Sequence, residues 1–256
     1  MAIADADLFP HATGEAAKTV AKHTEPQELV FYAGWFCPYA QRGWIALEEK
    51  GIPYQYKEIN PYHKEKHFLA INPKGLVPAI EYQNKPLYES LIISEFLEDA
   101  FPTHEPHLLP ADPFARAQAR LWIDHISKAV IPAFQRLLQS QEAPKQAAAL
   151  EELKTALRTL AQNAKGPYFF GEGWSLVDTA IAPWVTRDYI QQEHRGYKRE
   201  DVSPEWVAYA GKLETRESVV KTRSEKRHYE PIYGRYLRDE AQSEAAKAIR
   251  AGRVIP

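Results

Sequence analysis

Four prolines fall within the thirteen residues 101–113, FPTHEPHLLPADP. Proline fixes φ and has no amide donor, so neither an unbroken helix nor a central strand can run through this stretch. The chain must change architecture here, and residues 102–112 read as a linker between two domains. At 256 residues the chain is long enough to give each part its own core, because typical domains run about 100 to 200 residues.

Before the linker the pattern is mixed α/β. Leu29–Ala33 is a short apolar run followed by Gly34, which suits a buried strand. A helix is predicted from Pro38, with Trp44, Ile45 and Leu47 as its apolar positions, ending at Gly51-Ile52-Pro53. Tyr54–Ile59 is the next strand, which gives strand, helix, strand in about 30 residues, the size of a right-handed βαβ unit. Leu76–Glu81 and Lys85–Tyr88 flank Gln83-Asn84, a hairpin signal, and their prolines predict strands at a sheet edge. Ile92, Ile93, Phe96, Leu97 and Ala100 then recur at helical spacing. Residues 1–27 are polar, contain Pro10, Gly14 and Pro26, and read as a loosely ordered extension.

After the linker every periodic segment is helical. Ala119, Ile123, Ile126, Val130, Phe134 and Leu137 mark one long face, with Pro132 expected to kink it. Further helices are predicted at about 145–164, 176–192, 203–218 and 224–238. Ser175 and Asp178 have the spacing of a capping box and are read as structural. The expected layout is an extension over 1–27, an α/β domain over 28–101, a linker over 102–112 and an all-helical domain over 113–256. No internal repeat is present.

Composition narrows the function classes. The formal net charge is −2, with no basic excess to neutralise phosphates, so nucleic acid is not an expected partner. No apolar run approaches the roughly 20 residues that span a bilayer, and the first residues have neither a basic nor a long apolar region. The chain reads as soluble and without a membrane partner. A single cysteine cannot form a disulfide within the chain, which is compatible with a reducing, cytoplasmic setting. No metal site is expected.

That cysteine, Cys37, directly precedes Pro38. If Pro38 is the first helical residue, Cys37 is the N-cap, and proline suits the position after it because its missing N–H would lack a partner anyway. The usual capping chemistry is missing: the cap is not Ser, Thr, Asp or Asn, and the third helical residue is Ala40, so no capping box can form. Open N–H groups and the positive end of the helix dipole favour a thiolate, lowering a thiol pKa from about 8.5 into a range of about 3.5 to 7.5. At a pKa of 7 about half the thiol is ionised at neutral pH, against about 3% for an ordinary cysteine. The alternative is a buried thiol that acts as a small hydrophobe. Residue 40 is alanine, so a mixed disulfide formed at Cys37 has no neighbouring thiol to resolve it, and the second thiol must come from solution. Glutathione is the abundant soluble candidate.

Cys37-Pro38-Tyr39-Ala40, Asn72-Pro73-Lys74-Gly75-Leu76-Val77-Pro78, Glu89-Ser90 and Ser175-Leu176-Val177-Asp178 together resemble the glutathione transferase superfamily, in particular its omega class. The resemblance covers roughly residues 28–237. It implies an α/β plus all-α fold: a thioredoxin-like N-terminal domain followed by an all-helical C-terminal domain. It also implies Cys37 as the catalytic thiol and glutathione as cosubstrate, bound by Phe36, Pro38, Lys64, Val77, Pro78, Glu89 and Ser90. Val77-Pro78 is similar to the superfamily's cis-proline step, whose preceding backbone pairs with glutathione like an added strand. Glu89 and Ser90, before the next helix, would hold the γ-glutamyl ammonium and carboxylate. Lys64, with Lys66 and His67 as neighbours, stands where omega members place a glutathione-binding lysine.

For a second substrate the resemblance points to Trp122, His125, Arg187 and Tyr189, with Arg187 ending the pattern Pro183-Trp184-Val185-Thr186-Arg187. The activity implied is glutathione-dependent thiol transfer or reduction, including deglutathionylation and dehydroascorbate reduction, by a homodimer. Two other readings compete. One is a non-catalytic relative that stores flat hydrophobic ligands against its many aromatics. The other, a membrane-inserting relative of the chloride intracellular channel type, is disfavoured by the lack of an apolar segment.

Overall fold

A computed structural model describes residues 8–63 and 65–255. Lys64, one of the expected glutathione ligands, lies outside the described residues. The chain divides into two compact units: residues up to Leu109 together with Thr215–Lys226, and Pro110–Glu214 together with the residues from Arg227 onward.

The first unit opens with helix α1 (Gly14–Lys22), where the sequence predicted a loosely ordered extension. Its buried face is only Ala16 and Thr19, too small to register as a periodic stripe. What fixes it is tertiary. Thr13 N donates to Ser224 Oγ at 3.1 Å, Glu225 N donates to Thr13 Oγ1 at 3.0 Å, and His23 stacks on Tyr54 with ring centroids 3.8 Å apart.

The chain then forms β1 (Leu29–Ala33), α2 (Pro38–Lys50) and β2 (Gln55–Glu58). Gly51 ends α2 in the left-handed region at φ +59°, as a C-terminal glycine should. Next come α3 (Lys66–Ile71), β3 (Ala79–Tyr82), β4 (Lys85–Tyr88) and α4 (Ser90–Ala100). Helix α3, six residues long, was not anticipated. The four strands are ordered β2-β1-β3-β4, with β1 parallel to β2 and the other pairs antiparallel. This is the thioredoxin-like sheet. Gln83 and Asn84 turn the hairpin with φ of 53° and 59°, the left-handed values that two-residue hairpins require.

The expectation that both hairpin strands lie at an edge holds for β4 and not for β3, which is flanked by β1 and β4. Pro78 escapes the conflict because it stands just before β3, outside the ladder, while Pro86 sits in the true edge strand. The linker is tied down. Lys50 and Glu98 form a buried pair at 2.8 Å, and Lys50 Nζ donates to the His104 carbonyl while Leu108 N donates to Glu98. These bonds bind residues 104–108 to the first unit, and the division at 109/110 falls inside the expected linker of 102–112.

The second unit begins with α5 (Pro113–His125), a π-helical turn over Ile126–Val130, and α6 (Ile131–Gln139). The expected face from Ala119 to Leu137 is buried throughout. Pro132 does not simply bend the helix; it is preceded by the widened π turn, which accommodates a ring that would clash with the carbonyl four residues back. Then follow α7 (Ala143–Ala161), the fully buried α8 (Leu176–Val185), α9 (Tyr189–His194) and α10 (Pro204–Thr215). The helix predicted over 176–192 is thus two. Arg187 N and Asp188 N bond three residues back, to Trp184 and Val185, and the Asp188 carboxylate turns away to Arg199 at 2.7 Å. The helix predicted over 203–218 breaks at Arg216, whose guanidinium grips Glu49 at 2.7 and 2.6 Å. That pair brings α11 (Glu217–Lys221) back to the first unit. Helix α12 (Lys226–Leu237) matches expectation, and α13 (Glu244–Arg250) was not anticipated.

Candidate active site

The site is built on the turn from β1 into α2. Gly34 follows the strand, and a side chain there would press on the Ile59 carbonyl and the Phe36 ring, both 3.1 Å from a Cβ. Cys37 N donates to Gly34 O at 2.9 Å and closes the turn. Cys37 is the N-cap of α2, with φ −78° and ψ 120°, its side chain makes no capping bond, and Pro38 is the first helical residue. The thiol is half-buried, and its Sγ lies 3.7 Å from the Val77 carbonyl. Cys37 thus stands at the N-cap, as the sequence predicted, and is not fully buried.

Two further residues belong to this turn and its helix. Phe36 packs edge-on against Trp35 at 5.7 Å and stacks with Tyr62 at 6.4 Å. Arg42, only 2% exposed, lies over the Tyr39 ring at 5.6 Å. Burial lowers the Arg42 pKa to about 10, while Tyr39 and Cys37 pull it back up. A buried guanidinium that interacts with the Cys37 side chain favours the thiolate, as the helix end does. Sequence reading missed Arg42. Its signal was a charge inside the buried stretch Ala40–Leu47 of α2.

The peptide facing the sulfur is held from below. Asn72 Nδ2 donates to Leu76 O at 2.7 Å, Lys74 N donates to Asn72 Oδ1 at 3.1 Å, and Gly75 turns the chain at φ +63°. The Val77-Pro78 bond is cis, as the motif implied, and both residues are buried. Helix α4 begins at Ser90, so Glu89 and not Ser90 is its N-cap, with an unusual positive φ of 78°. Ser90 is largely buried at the first helical position. The exposed Glu89 carboxylate accepts from Lys74 Nζ at 2.6 Å. Lys66 and His67 are exposed at the start of α3.

The four second-substrate candidates fall into two pairs. Trp122 and His125 touch each other at 5.7 Å between rings, and Trp122 also meets Phe169 at 5.3 Å. His125 Nε2 is 3.0 Å from the Ala156 carbonyl, a bond to the backbone of α7. Arg187 is 1% exposed, donates to Pro183 O at 2.6 Å and lies over the Tyr229 ring at 4.9 Å. Tyr189 is half-buried beside it, and burial pushes its hydroxyl up to about 12 against the pull of Arg187. Tyr229 and Tyr233, both on α12, interact with Arg187.

A thioredoxin-like unit that carries a thiol at a helix N-terminus, followed by a helical unit, defines a glutathione transferase fold. The profile of the glutathione S-transferase N-terminal domain matches residues 36–100. The chain is 36% identical over 209 residues to a probable glutathione S-transferase, GSTU1, of Oryza sativa subsp. japonica, covering 77% of this chain and 90% of that one. It is 34% identical over 199 residues to the probable glutathione S-transferase parC of Nicotiana tabacum, with coverage of 77% and 89%. Among solved structures, glutathione transferase Omega 3C from Trametes versicolor is 65% identical, covers 91% of this chain and 100% of its own, and superposes with a TM-score of 0.87. Rice GST1, solved in complex with glutathione, is 31% identical with coverage of 85% and 100% and a TM-score of 0.77. The chain belongs to the glutathione S-transferase family.

Proposed function

We propose that the protein is an omega-type, glutathione-dependent thiol transferase whose nucleophile is Cys37. The carrying observation is a half-buried thiol at the N-cap of α2 whose side chain is not spent on a capping bond. A Ser or Tyr hydroxyl at this position would hold the thiolate of glutathione for attack on an electrophile; a cysteine instead tends to form a disulfide with it. The 65% identity to an enzyme named Omega 3C supports the class, and the complex of rice GST1 with glutathione supports the cosubstrate.

The chemistry is disulfide exchange. Cys37 thiolate attacks the glutathionyl sulfur of a mixed disulfide, a Cys37–glutathione bond forms, and the other thiol leaves as thiolate and takes up a proton. A second glutathione thiolate then attacks the bound glutathione sulfur, which releases glutathione disulfide and restores Cys37. Dehydroascorbate reduction fits the same cycle, with two glutathiones supplying the two electrons. In this reading Val77 offers its backbone to the cysteinyl part of glutathione, Pro78 shapes that step, and Phe36 and Pro38 flank the sulfur. Glu89 meets the γ-glutamyl ammonium, Ser90 and the first amides of α4 meet its carboxylate, and Lys64 supplies a cation for the tripeptide. Trp122 and Tyr189 are the half-buried candidates to touch a second substrate, with His125 and Arg187 supporting them. A homodimer in the reducing cytoplasm is the implied setting.

Replacement of Cys37→Ser tests this directly. Deglutathionylation of a glutathionylated peptide should fall by at least about a thousandfold, roughly 4 kcal/mol of transition-state stabilisation, while glutathione binding measured by calorimetry persists. Survival of deglutathionylation in that variant would refute the mechanism.

A further inference from the structure

Glu58 ends β2, and its carboxyl group gathers three donors from three separate segments. Oε1 accepts the backbone N–H of Trp35 at 2.9 Å, the Tyr56 hydroxyl donates to Oε2 at 3.2 Å, and the backbone N–H of Ala12 also bonds the carboxylate. Trp35 is doubly held, because its indole Nε1 donates to the Phe9 carbonyl at 2.8 Å. Trp35 lies two residues before Cys37, inside the turn that Cys37 N closes onto Gly34 O. A carboxylate withdrawn from water costs free energy unless its bonds compensate. Here the bonds come from two loop amides and a hydroxyl, with no cation paired to the carboxylate among the described residues, so the group is used for geometry.

We infer that Glu58 is a positioning residue for Cys37, its carboxylate fastening the Gly34–Cys37 turn and residues 9–12 to the end of β2. The inference rests on Cys37 being the reacting thiol and goes beyond the proposed function by making the orientation of that thiol depend on a second ionisable group. Burial pushes the Glu58 carboxyl up to about 7, against the pull of Trp35, Tyr56 and Ala12. The titratable and charged groups on the surrounding elements are Tyr56 and Lys57 on its own strand, Tyr32 on β1 paired with Lys57, His11 beside Ala12, and Cys37 itself. Of these the Tyr56 hydroxyl bonds the carboxylate. Protonation turns one acceptor oxygen into a donor, so three donors can no longer all be accepted on unchanged terms and the turn loses part of its anchorage.

The test is the rate of Cys37 alkylation by iodoacetamide across pH, without glutathione, in the full chain and in Glu58→Gln. The amide keeps one acceptor oxygen and cannot titrate. In the unsubstituted protein two ionisations, Glu58 and Cys37, should govern the rate, so the logarithm of the rate steepens toward a slope of two in acid. Glu58→Gln should show a slope of one and, relative to its own plateau at high pH, recover up to about tenfold at pH 6, since a group with a pKa of about 7 is roughly one-tenth ionised there. A slope of one in the unsubstituted protein, or the same profile in both proteins, would overturn the inference. Neither result bears on whether glutathione is the partner thiol, which the Cys37→Ser assay decides separately.

Discussion

The two units of the molecule meet the same physical problem, a helix start with unfilled amides, in opposite ways. In the helical unit α8 begins with Ser175 and Asp178 in a capping box. The Asp178 carboxylate accepts from Ser175 N at 2.8 Å, Phe169 N at 2.9 Å and the Tyr209 hydroxyl at 2.7 Å. In the thioredoxin-like unit α2 begins after Cys37, whose side chain makes no capping bond. A filled helix start contributes stability, whereas an open one leaves dipole and donors available to an anion. The difference separates a residue that holds the fold from one that can react.

Substitutions should break this contrast in a graded way. The largest effect is expected for Asp178→Ala, which removes the box and orphans the Phe169 amide and the Tyr209 hydroxyl in the interior. Thermal or denaturant unfolding should register a loss of about 3 kcal/mol; a loss under about 1 kcal/mol would show that the box is incidental. A smaller effect of opposite sign is expected for Cys37→Ser, because a hydroxyl at the N-cap can accept an amide hydrogen bond. Its stability should rise by about 0.5 to 1 kcal/mol in denaturant unfolding, and a fall would mean the open start is not a missing cap. The last is a pH trend at Glu58, read as a slope across pH and not as a change at one pH. Its folded pKa lies above the unfolded value of 4.5, so the native state binds more protons than the unfolded one between about 4.5 and about 7, and stability falls as pH rises through that window. The stability of Glu58→Gln relative to the unsubstituted protein should therefore be greater at pH 8 than at pH 5, and a constant difference would contradict the assignment.

The legible parts of the sequence were those with local causes. The N-cap at Cys37 followed from Pro38, the end of α2 from Gly51, the hairpin from Gln83-Asn84 and the capping box from the spacing of Ser175 and Asp178. The motif stretches also foretold the cis bond at Val77-Pro78 and the helix after Glu89, although Ser90 proves to be inside that helix and not before it. What stayed hidden depends on partners distant in sequence. Helix α1 is fixed by residues 224 and 225, α11 is drawn back by Glu49, and Lys50 with Glu98 pins the proline-rich segment. Arg42 and Glu58 share this property: a charge reads as solvated surface until the fold supplies what compensates its burial.

The account turns on the ionisation of one sulfur, and a titration of thiolate absorbance in the ultraviolet, taken as the difference between the unsubstituted protein and Cys37→Ser, reads it most directly. The open start of α2 predicts an inflection between about 3.5 and 7.5. An inflection at or above about 8.5, the value of an ordinary cysteine, would contradict it.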